Sequence, residues 1–305
     1  MDDFAPAAMM RVVQQGLRRL GLAPPPTAPS HLGRVALPDK RERLRVLWQA
    51  HGPGVIARLG EAVHDLPDDP LHTAFAPALD PFDLLERWQR LERFVHSRHR
   101  VELRDSGPAA LSWRHVSLRR AAPPTAAEDL LVAGLLLALA QRLGLAGLRA
   151  RPLGTQAWLF DGGWRAARWP ARLHAWEWQW TGSAAPPPPA QRLQTPLALL
   201  QADPARGWTL ARLAQAMDLA PRTLQRRLAG QGLHFSGLLA QARLNHSAQQ
   251  LTAGSASLAE VGYLSGFADQ PHFTRQFHAH TGLTPAQFRA MFGAGAGLSR
   301  SASRR

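Results

Sequence analysis

Arg222, Gln225 and Arg226 stand three and four residues apart, so a helix carries all three on one face. Arginine and glutamine are the side chains that make two-pronged hydrogen bonds, arginine to guanine edges and glutamine to adenine edges. A second set, Gln270, Thr274 and Arg275, follows some fifty residues later and points largely outward from its own helix. Both sets suit recognition of base edges and phosphates better than bond making. No HExxH or GxSxG occurs, and the only lysine, Lys40, lacks the glycines of a phosphate-binding loop. No residue is assigned a catalytic role, no metal or cofactor is expected, and no effector-binding residue can be named.

The elements that must position these side chains are short helices. Leu210, Leu213, Ala214 and Met217 form an apolar stripe on one helix. Asp218-Leu219-Ala220 is a tight turn, and Pro221 suits the first position of the next helix, whose Leu224 and Leu228 face inward. The arrangement recurs with Leu258, Val261 and Leu264, the turn Ser265 to Ala268, and a helix from about Asp269 with Phe273 and Phe277 inward. Between them, Ser236 to Leu251 reads as one amphipathic helix, ~24 Å long at 1.5 Å per residue. Such a rod could set two helices about one DNA turn apart, roughly 34 Å.

Charge agrees with this. The chain of 305 residues carries a formal charge of +14, and residues 191–305 hold 12 arginines against 4 acids. A basic region of that kind attracts polyanions, nucleic acid or a membrane surface. The longest apolar run, Leu130 to Ala140, is too short to cross a bilayer, so no membrane is expected as a partner. The first residues lack the basic and apolar regions of a secretory signal, and a cytoplasmic location is expected. The absence of cysteine excludes disulfides, thiolate zinc sites and cysteine nucleophiles.

The length predicts two domains. Residues 1–182 form a mixed α/β sensing or oligomerisation domain. Residues 183–191 are a linker stiffened by Pro186 to Pro189, 192–292 an all-α domain with two helix-turn-helix motifs, and 293–305 a disordered basic tail. The fold class is α+β and mostly helical. Leu22 to Ser30 reads as a surface loop. In the first domain, helices are expected over 84–95 and 126–143, and a hairpin about Asp105 to Pro108. His96 and His99 could ligate a metal from adjacent helix turns, although a basic helix end is the commoner reason for such a pair. A strand would put Trp176, Trp178 and Trp180 on one face, as core more readily than as a pocket lining.

Residues Gln191 to Phe292 resemble the DNA-binding domain of the AraC family of transcription regulators. The resemblance is carried by Arg222-Thr-Leu-Gln-Arg-Arg-Leu228, Ala242-Arg-Leu-Asn-His-Ser-Ala248, Gly266 to Phe277, Thr281-Gly-Leu-Thr-Pro285 and Phe288-Arg289. It implies base contacts from Arg222, Gln225 and Arg226, and from Gln270 and Arg275, with Thr274 at phosphate. Ala220 and Ala268 replace a common helix-capping serine, Gly262 a usual alanine and Pro271 a common serine, and Asp269 is placed to supply a cap instead. Three of these four departures fall in the second motif, so the first is expected to read sequence more strictly. Parts of Val12 to Leu143, including Leu20-Gly-Leu22 and Arg87 to His99, resemble the sensor domain of one AraC branch. The resemblance implies a transcription activator that binds double-stranded DNA, a small-molecule effector and RNA polymerase and can form a homodimer, and no enzyme. Two alternatives are a sequence-nonspecific architectural DNA binder and an enzyme housed in the N-terminal half.

Overall fold

The computed structural model describes residues 3–24, 34–66, 69–96, 98–119, 122–165, 168–183 and 195–293. Pro186 to Pro189, most of the Leu22 to Ser30 loop and the tail beyond Gly293 lie outside the described residues. The chain separates into two units: Met1–Pro67 with Pro77–Pro187, and Asp68–Ala76 with Pro188–Arg305. The second therefore includes α4 (Pro70–Phe75), a segment from the N-terminal half of the sequence.

The first unit begins with β1 (Phe4–Pro6), α1 (Ala7–Arg19), β2 (Arg34–Ala36), α2 (Leu37–His51), α3 (Pro53–Leu59) and a 3-10 turn over Gly60–Asp65. It continues through α5 (Pro81–Val95), β3 (His99–Gly107), β4 (Ala110–Ser117), α6 (Ala126–Gln141), β5 (Leu145–Ala146), β6 (Arg149–Pro152), β7 (Phe160–Asp161), β8 (Ala175–Gln179) and β9 (Gly182–Ser183). Five strands form an antiparallel sheet in the order β3-β4-β8-β6-β7, and β1 with β2 and β5 with β9 make two small pairs. The mixed α/β composition expected for this half is observed.

Helix α6 is the centre of the unit. Its start is set by Thr125, whose hydroxyl accepts from the Glu128 amide at 3.2 Å while Glu128 accepts from the Thr125 amide at 2.9 Å. Every residue from Ala127 to Ala140 is buried, so this helix has no solvent face and every side must find a partner. Part of that packing is backbone against backbone. A Cβ on Gly134 would stand 2.2 Å from the Ala57 carbonyl oxygen, and one on Gly60 would stand 2.3 Å from the Gly134 carbonyl carbon. Two glycines thus let α3 and the 3-10 turn lie directly on α6.

The sheet buries Trp113, Trp176 and Trp178, and the β4–β8 register pairs Trp113 with Trp176 and Leu111 with Trp178. Trp113 stacks on Trp176 at 6.5 Å and meets the edge of Trp178 at 6.1 Å, so these rings are core. Trp180 falls outside β8 and packs on Phe82 at 6.0 Å. The hairpin forms where expected, but β3 runs on to Gly107, past an irregularity between Leu103 and Ser106.

The His96 and His99 reading needs correction. Helix α5 stops at Val95, so the two residues do not occupy adjacent turns of one helix, and neither is a solvated helix end. His99 opens β3, both side chains are buried, and their rings stack at 4.8 Å. Among the described residues no group of three or more His, Cys, Asp or Glu side chains could hold a metal ion. The histidines belong instead to a buried polar cluster. Glu128 lies 3.1 Å from Lys40, 3.0 Å from Arg41 and 3.7 Å from His99. His115 Nδ1 is 2.8 Å from the Asp129 carboxyl, and Glu92 accepts from the Trp88 indole and the Val101 amide, both at 2.7 Å.

Burial dominates the proton affinities here. It drives His96 far below the ordinary imidazole value, and His99 and His115 down to about 3, with Lys40 acting in the same direction on all three. Burial also pushes Glu92 and Asp129 up to about 7, opposed by Arg100 and Lys40 at Glu92 and by His174 and Lys40 at Asp129. Burial raises Glu128 too, but Lys40, His99 and Arg41 outweigh it and hold that carboxyl at about 2.

Two predictions follow from this packing and charge. Gly134→Ala should destabilise the first unit by roughly 1–3 kcal/mol or more by overpacking. Gly54→Ala in α3, where an added Cβ meets nothing within 4 Å, should be neutral or mildly stabilising in the same thermal melts. The pH dependence should be bell-shaped. The three buried imidazoles stay neutral while their unfolded counterparts bind protons near pH ~6.5, so their stability contribution is lost as pH falls through that value. The two raised carboxyls act oppositely, and their contribution is lost as pH rises from about 4 towards 7. Three imidazoles outweigh two carboxyls on the acid side. Unfolding followed by tryptophan fluorescence, with nine of the ten tryptophans in this unit, should show an optimum near pH ~6–7. Glu92→Gln with Asp129→Asn should steepen the acid limb and abolish the alkaline one.

Candidate nucleic-acid interface

In the second unit α7 (Pro196–Ala202), α8 (Leu210–Ala216) and α9 (Pro221–Gly230) precede the long α10 (Phe235–Ala253). After it come α11 (Leu258–Leu264), α12 (Gln270–Thr281) and α13 (Pro285–Phe292). The all-α composition and both helix pairs match the sequence reading. Helix α10 is a single rod of 19 residues, longer than Ser236 to Leu251 and about 28 Å from end to end.

The first pair, α8 and α9, is held by a core of Leu200, Trp208, Leu213, Ala214, Leu224 and Leu228 with Leu238 and Ala242 of α10. The second, α11 and α12, is held by a chain of rings. Phe267 meets Phe273 at 5.0 Å, Phe273 meets Phe277 at 5.6 Å, and Phe277 meets Phe288 of α13 at 5.2 Å. Phe288 and Phe292 are 5.0 Å apart, and Phe292 also meets Phe75 of α4 at 6.4 Å. Gly262 is explained by this chain, because a Cβ there would come within 3.2 Å of the Phe273 ring.

The turns share one device. The Leu219 amide donates to the Ala214 carbonyl at 2.9 Å, and the Phe267 amide donates to the Gly262 carbonyl at 3.0 Å. Each closure needs a left-handed residue, Asp218 at φ 55° in the first turn and Gly266 at φ 81° in the second. Aspartate tolerates that conformation better than most side chains. Gly266 is doubly constrained, since a Cβ there would also lie 2.5 Å from the Pro204 carbonyl oxygen.

The turns differ in how they start the exposed helix. Ala220 stands at the N-cap of α9 with no side-chain bond, and Pro221 occupies the first helical position. The second turn is one residue longer, so Asp269 rather than Ala268 caps α12, accepting from the His272 amide at 2.6 Å. Counted from the caps, Arg226 therefore corresponds to Arg275 and Gln225 to Thr274.

Arg222, Gln225 and Arg226 are all exposed on one face of α9, while Leu224 and Leu228 are buried behind them. On α12 Gln270 and Arg275 are exposed and Thr274 is half-buried. Gln270 and Thr274 are one turn apart, but Arg275 lies about 100° further round, beside the exposed Gln276. The second set thus spans a wider arc than the first. None of the six side chains makes a hydrogen bond or ion pair with the other described residues. A concave surface lined by Arg206, Arg212 and Gln215 flanks α8. Sequence reasoning did not single these out, because an arginine at the edge of a helix pair reads the same whether it faces solvent or phosphate.

Residues 213–291 match the family described as "Helix-turn-helix domain". The chain is 31% identical over 97 residues to the DNA-binding dual transcriptional regulator Rns of Escherichia coli, covering 32% of this chain and 37% of that protein. It is 30% identical over 93 residues to the transcriptional activator AggR of Escherichia coli, covering 30% and 35%. It is 36% identical over 81 residues to the transcriptional regulator VirS of Mycobacterium tuberculosis, covering 27% and 24%. The chain spans only about a third or less of the length of these relatives. A solved AraC-type DNA-binding domain protein from Chromobacterium violaceum aligns at 26% identity with a TM-score of 0.31, covering 32% of this chain and 89% of that one.

Capping and turn geometry give a stability prediction for this unit. Ala220→Ser, which supplies the missing acceptor to α9, should raise stability by ~0.5–1 kcal/mol, and Asp269→Ala should lower it by ~1 kcal/mol. Gly266→Ala should cost more than either, since the left-handed backbone alone costs ~1–2 kcal/mol before the clash with Pro204. Chemical denaturation followed by far-UV circular dichroism checks all three.

Proposed function

We propose that the protein is a sequence-specific transcription regulator of the AraC type, acting as an activator, that responds to a small-molecule effector; the match of residues 213–291 to a helix-turn-helix domain supports the reading. The observation that carries the reading is the pair of exposed faces on α9 and α12, whose polar side chains have no partner within the described protein. Arg222, Gln225 and Arg226 would read bases in one major groove, and Gln270 and Arg275 in the next, with Thr274 on phosphate. The 28 Å rod of α10 is of the right order to serve two grooves about 34 Å apart. Arg206 and Arg212 would add backbone contacts and salt dependence.

The residues 1–182 would form the sensing domain and 192–292 the reader, in a cytoplasmic protein whose partners include RNA polymerase and a second copy of itself. Among the described residues no helix is long and apolar enough to cross a membrane. The tighter arc of the α9 set and the plain Pro271 in α12 favour stricter reading by the first motif.

Genome-wide recovery of DNA bound to the intact protein tests the reading. The expected result is a few sharp peaks sharing a two-part motif one helical turn apart, lost in Arg226→Ala. On such a site Arg226→Ala should weaken binding about 10- to 100-fold, the worth of one two-pronged contact. Gln225→Ala should relax specificity more than Arg275→Ala. Broad occupancy indifferent to Arg226 would instead identify a nonspecific architectural binder.

A further inference from the structure

Strand β3 stands at the end of the five-stranded sheet and is paired on one side only, with β4. An edge of that kind is a template for a further strand. The ladder alternates, so the backbone groups of every second residue face away from β4. His99 and Val101 are two of these, and their amides are already taken, by His96 Nδ1 at 3.1 Å and by Glu92 at 2.7 Å. Leu103 comes next. Neither its amide nor its carbonyl has a partner among the described residues, and beyond it the register with β4 shifts. An open groove of ≈ 380 Å³ runs along this stretch, lined by Gln89 and Arg93 of α5 and by Arg100 to Leu103. It leaves room for one more strand.

The charges beside Leu103 select that strand. Glu102 and Arg104 lie on the face opposite the buried Val101, and each is 45% exposed. Arg104 donates to Glu102 at 2.7 Å along the same strand. An edge guarded by charges of one sign repels a second copy of itself, but here the signs alternate. When two copies of β3 meet antiparallel with Leu103 opposite Leu103, Glu102 of each stands opposite Arg104 of the other. Opposite charges directly across a strand pair attract, and like charges destabilise it. A dyad one residue to either side sets Glu102 against Glu102 or Arg104 against Arg104. A dyad at Val101 needs the amide that Glu92 holds. Charge and backbone agree on one register. We propose that the open edge of β3 is a self-pairing surface, where a second copy of this chain adds its own β3 antiparallel about Leu103. The two Leu103 residues exchange amide-to-carbonyl bonds, and Glu102 trades Arg104 of its own strand for Arg104 of the other copy.

The inference deepens the self-association proposed above by naming its surface, and it rests on that reading but not on the recognition of DNA. Two backbone bonds and two ion pairs make a short contact. The dimer is therefore reversible, and it weakens as salt screens the exposed charges.

The test uses the intact protein without DNA. Sedimentation velocity over a concentration series should show a monomer–dimer equilibrium. Glu102→Arg sets arginine against arginine across the dyad, and Arg104→Glu sets glutamate against glutamate. Each variant alone should dimerise about tenfold more weakly or worse, two attractive pairs having become two repulsive ones. An equimolar mixture of the two should recover association near the original strength. So should the double variant, because both arrangements restore opposite charges across the dyad. Mixing cannot cure a fold defect, so recovery speaks for the register itself. The chain has no cysteine, so Leu103→Cys carries a single thiol. The dyad sets it opposite its counterpart at a Cα separation of about 5.5 Å, within disulfide reach. Mild oxidation should link that variant into covalent dimers, whereas Leu153→Cys, on an exposed leucine just past β6, should stay unlinked. Dimers that ignore both charge reversals and do not link through Leu103→Cys overturn this edge and leave self-association standing. A monomer at every concentration, unlinked through Leu103→Cys, overturns both and leaves Glu102 and Arg104 as guards of the edge. Weakened single variants that fail to recover on mixing overturn the register.

Discussion

Glu128 is a fully buried carboxylate in the first turn of a helix that has no polar face, and that placement organises the first unit. A charge taken out of water must be answered on every side. It is answered by Lys40 and Arg41 of α2, by His99 at the start of β3, and by the Thr125 amide at the helix cap. Arg41 also reaches the Pro123 carbonyl at 2.9 Å, tying down the approach to α6. One side chain thereby fixes α2, the sheet edge and α6 with respect to each other. Its neighbour Asp129 does the same for β4 through His115. Such an arrangement contributes little net stability compared with an apolar core, but removing one partner from it is costly.

The second unit is built on the opposite principle. Its cores are largely apolar or aromatic, and the polar side chains of Arg222, Gln225, Arg226, Gln270 and Arg275 are displayed on its surface rather than satisfied within it. The stable part is the pair of left-handed turns closing α8 onto α9 and α11 onto α12, which set each exposed helix against its buried partner. The two pairs are not copies in detail. Aspartate holds one turn and glycine the other, and a one-residue difference moves the cap from Ala220 to Asp269. The two faces proposed to read DNA thus stand on a shared scaffold with unequal caps and unequal arcs.

The contrast has a functional sense. Free arginines and glutamines are useful for DNA only when no intramolecular partner competes for them, and α9 and α12 meet that condition.

Periodicity and turn chemistry decided much of this in advance. The i, i+3, i+4 stripes of Leu210 to Met217 and of Leu224 with Leu228, the Pro221 start, and the short turn after Met217 are local signals. Local signals are enough for helices a few turns long whose partners are neighbours in the chain. The apolar run from Leu130 to Ala140 was equally legible as part of a helix over 126–143, whereas its capping box at Thr125 and Glu128 was not singled out. Tertiary structure alone decided the rest. Gly60 and Gly134 look like ordinary glycines until the packing leaves an added Cβ only 2.2–2.3 Å from the neighbouring backbone. His96 and His99 share a short motif that suggests one helix, yet the chain changes from helix to strand between them. Residues 40, 92, 96, 99, 115, 128 and 129 come together across as many as 89 positions of sequence, and no spacing announces such a cluster. Asp68–Ala76 joins the second unit for the same reason. A contact between distant segments is selected by the energy of the whole packed unit, and no stretch of sequence carries that energy by itself.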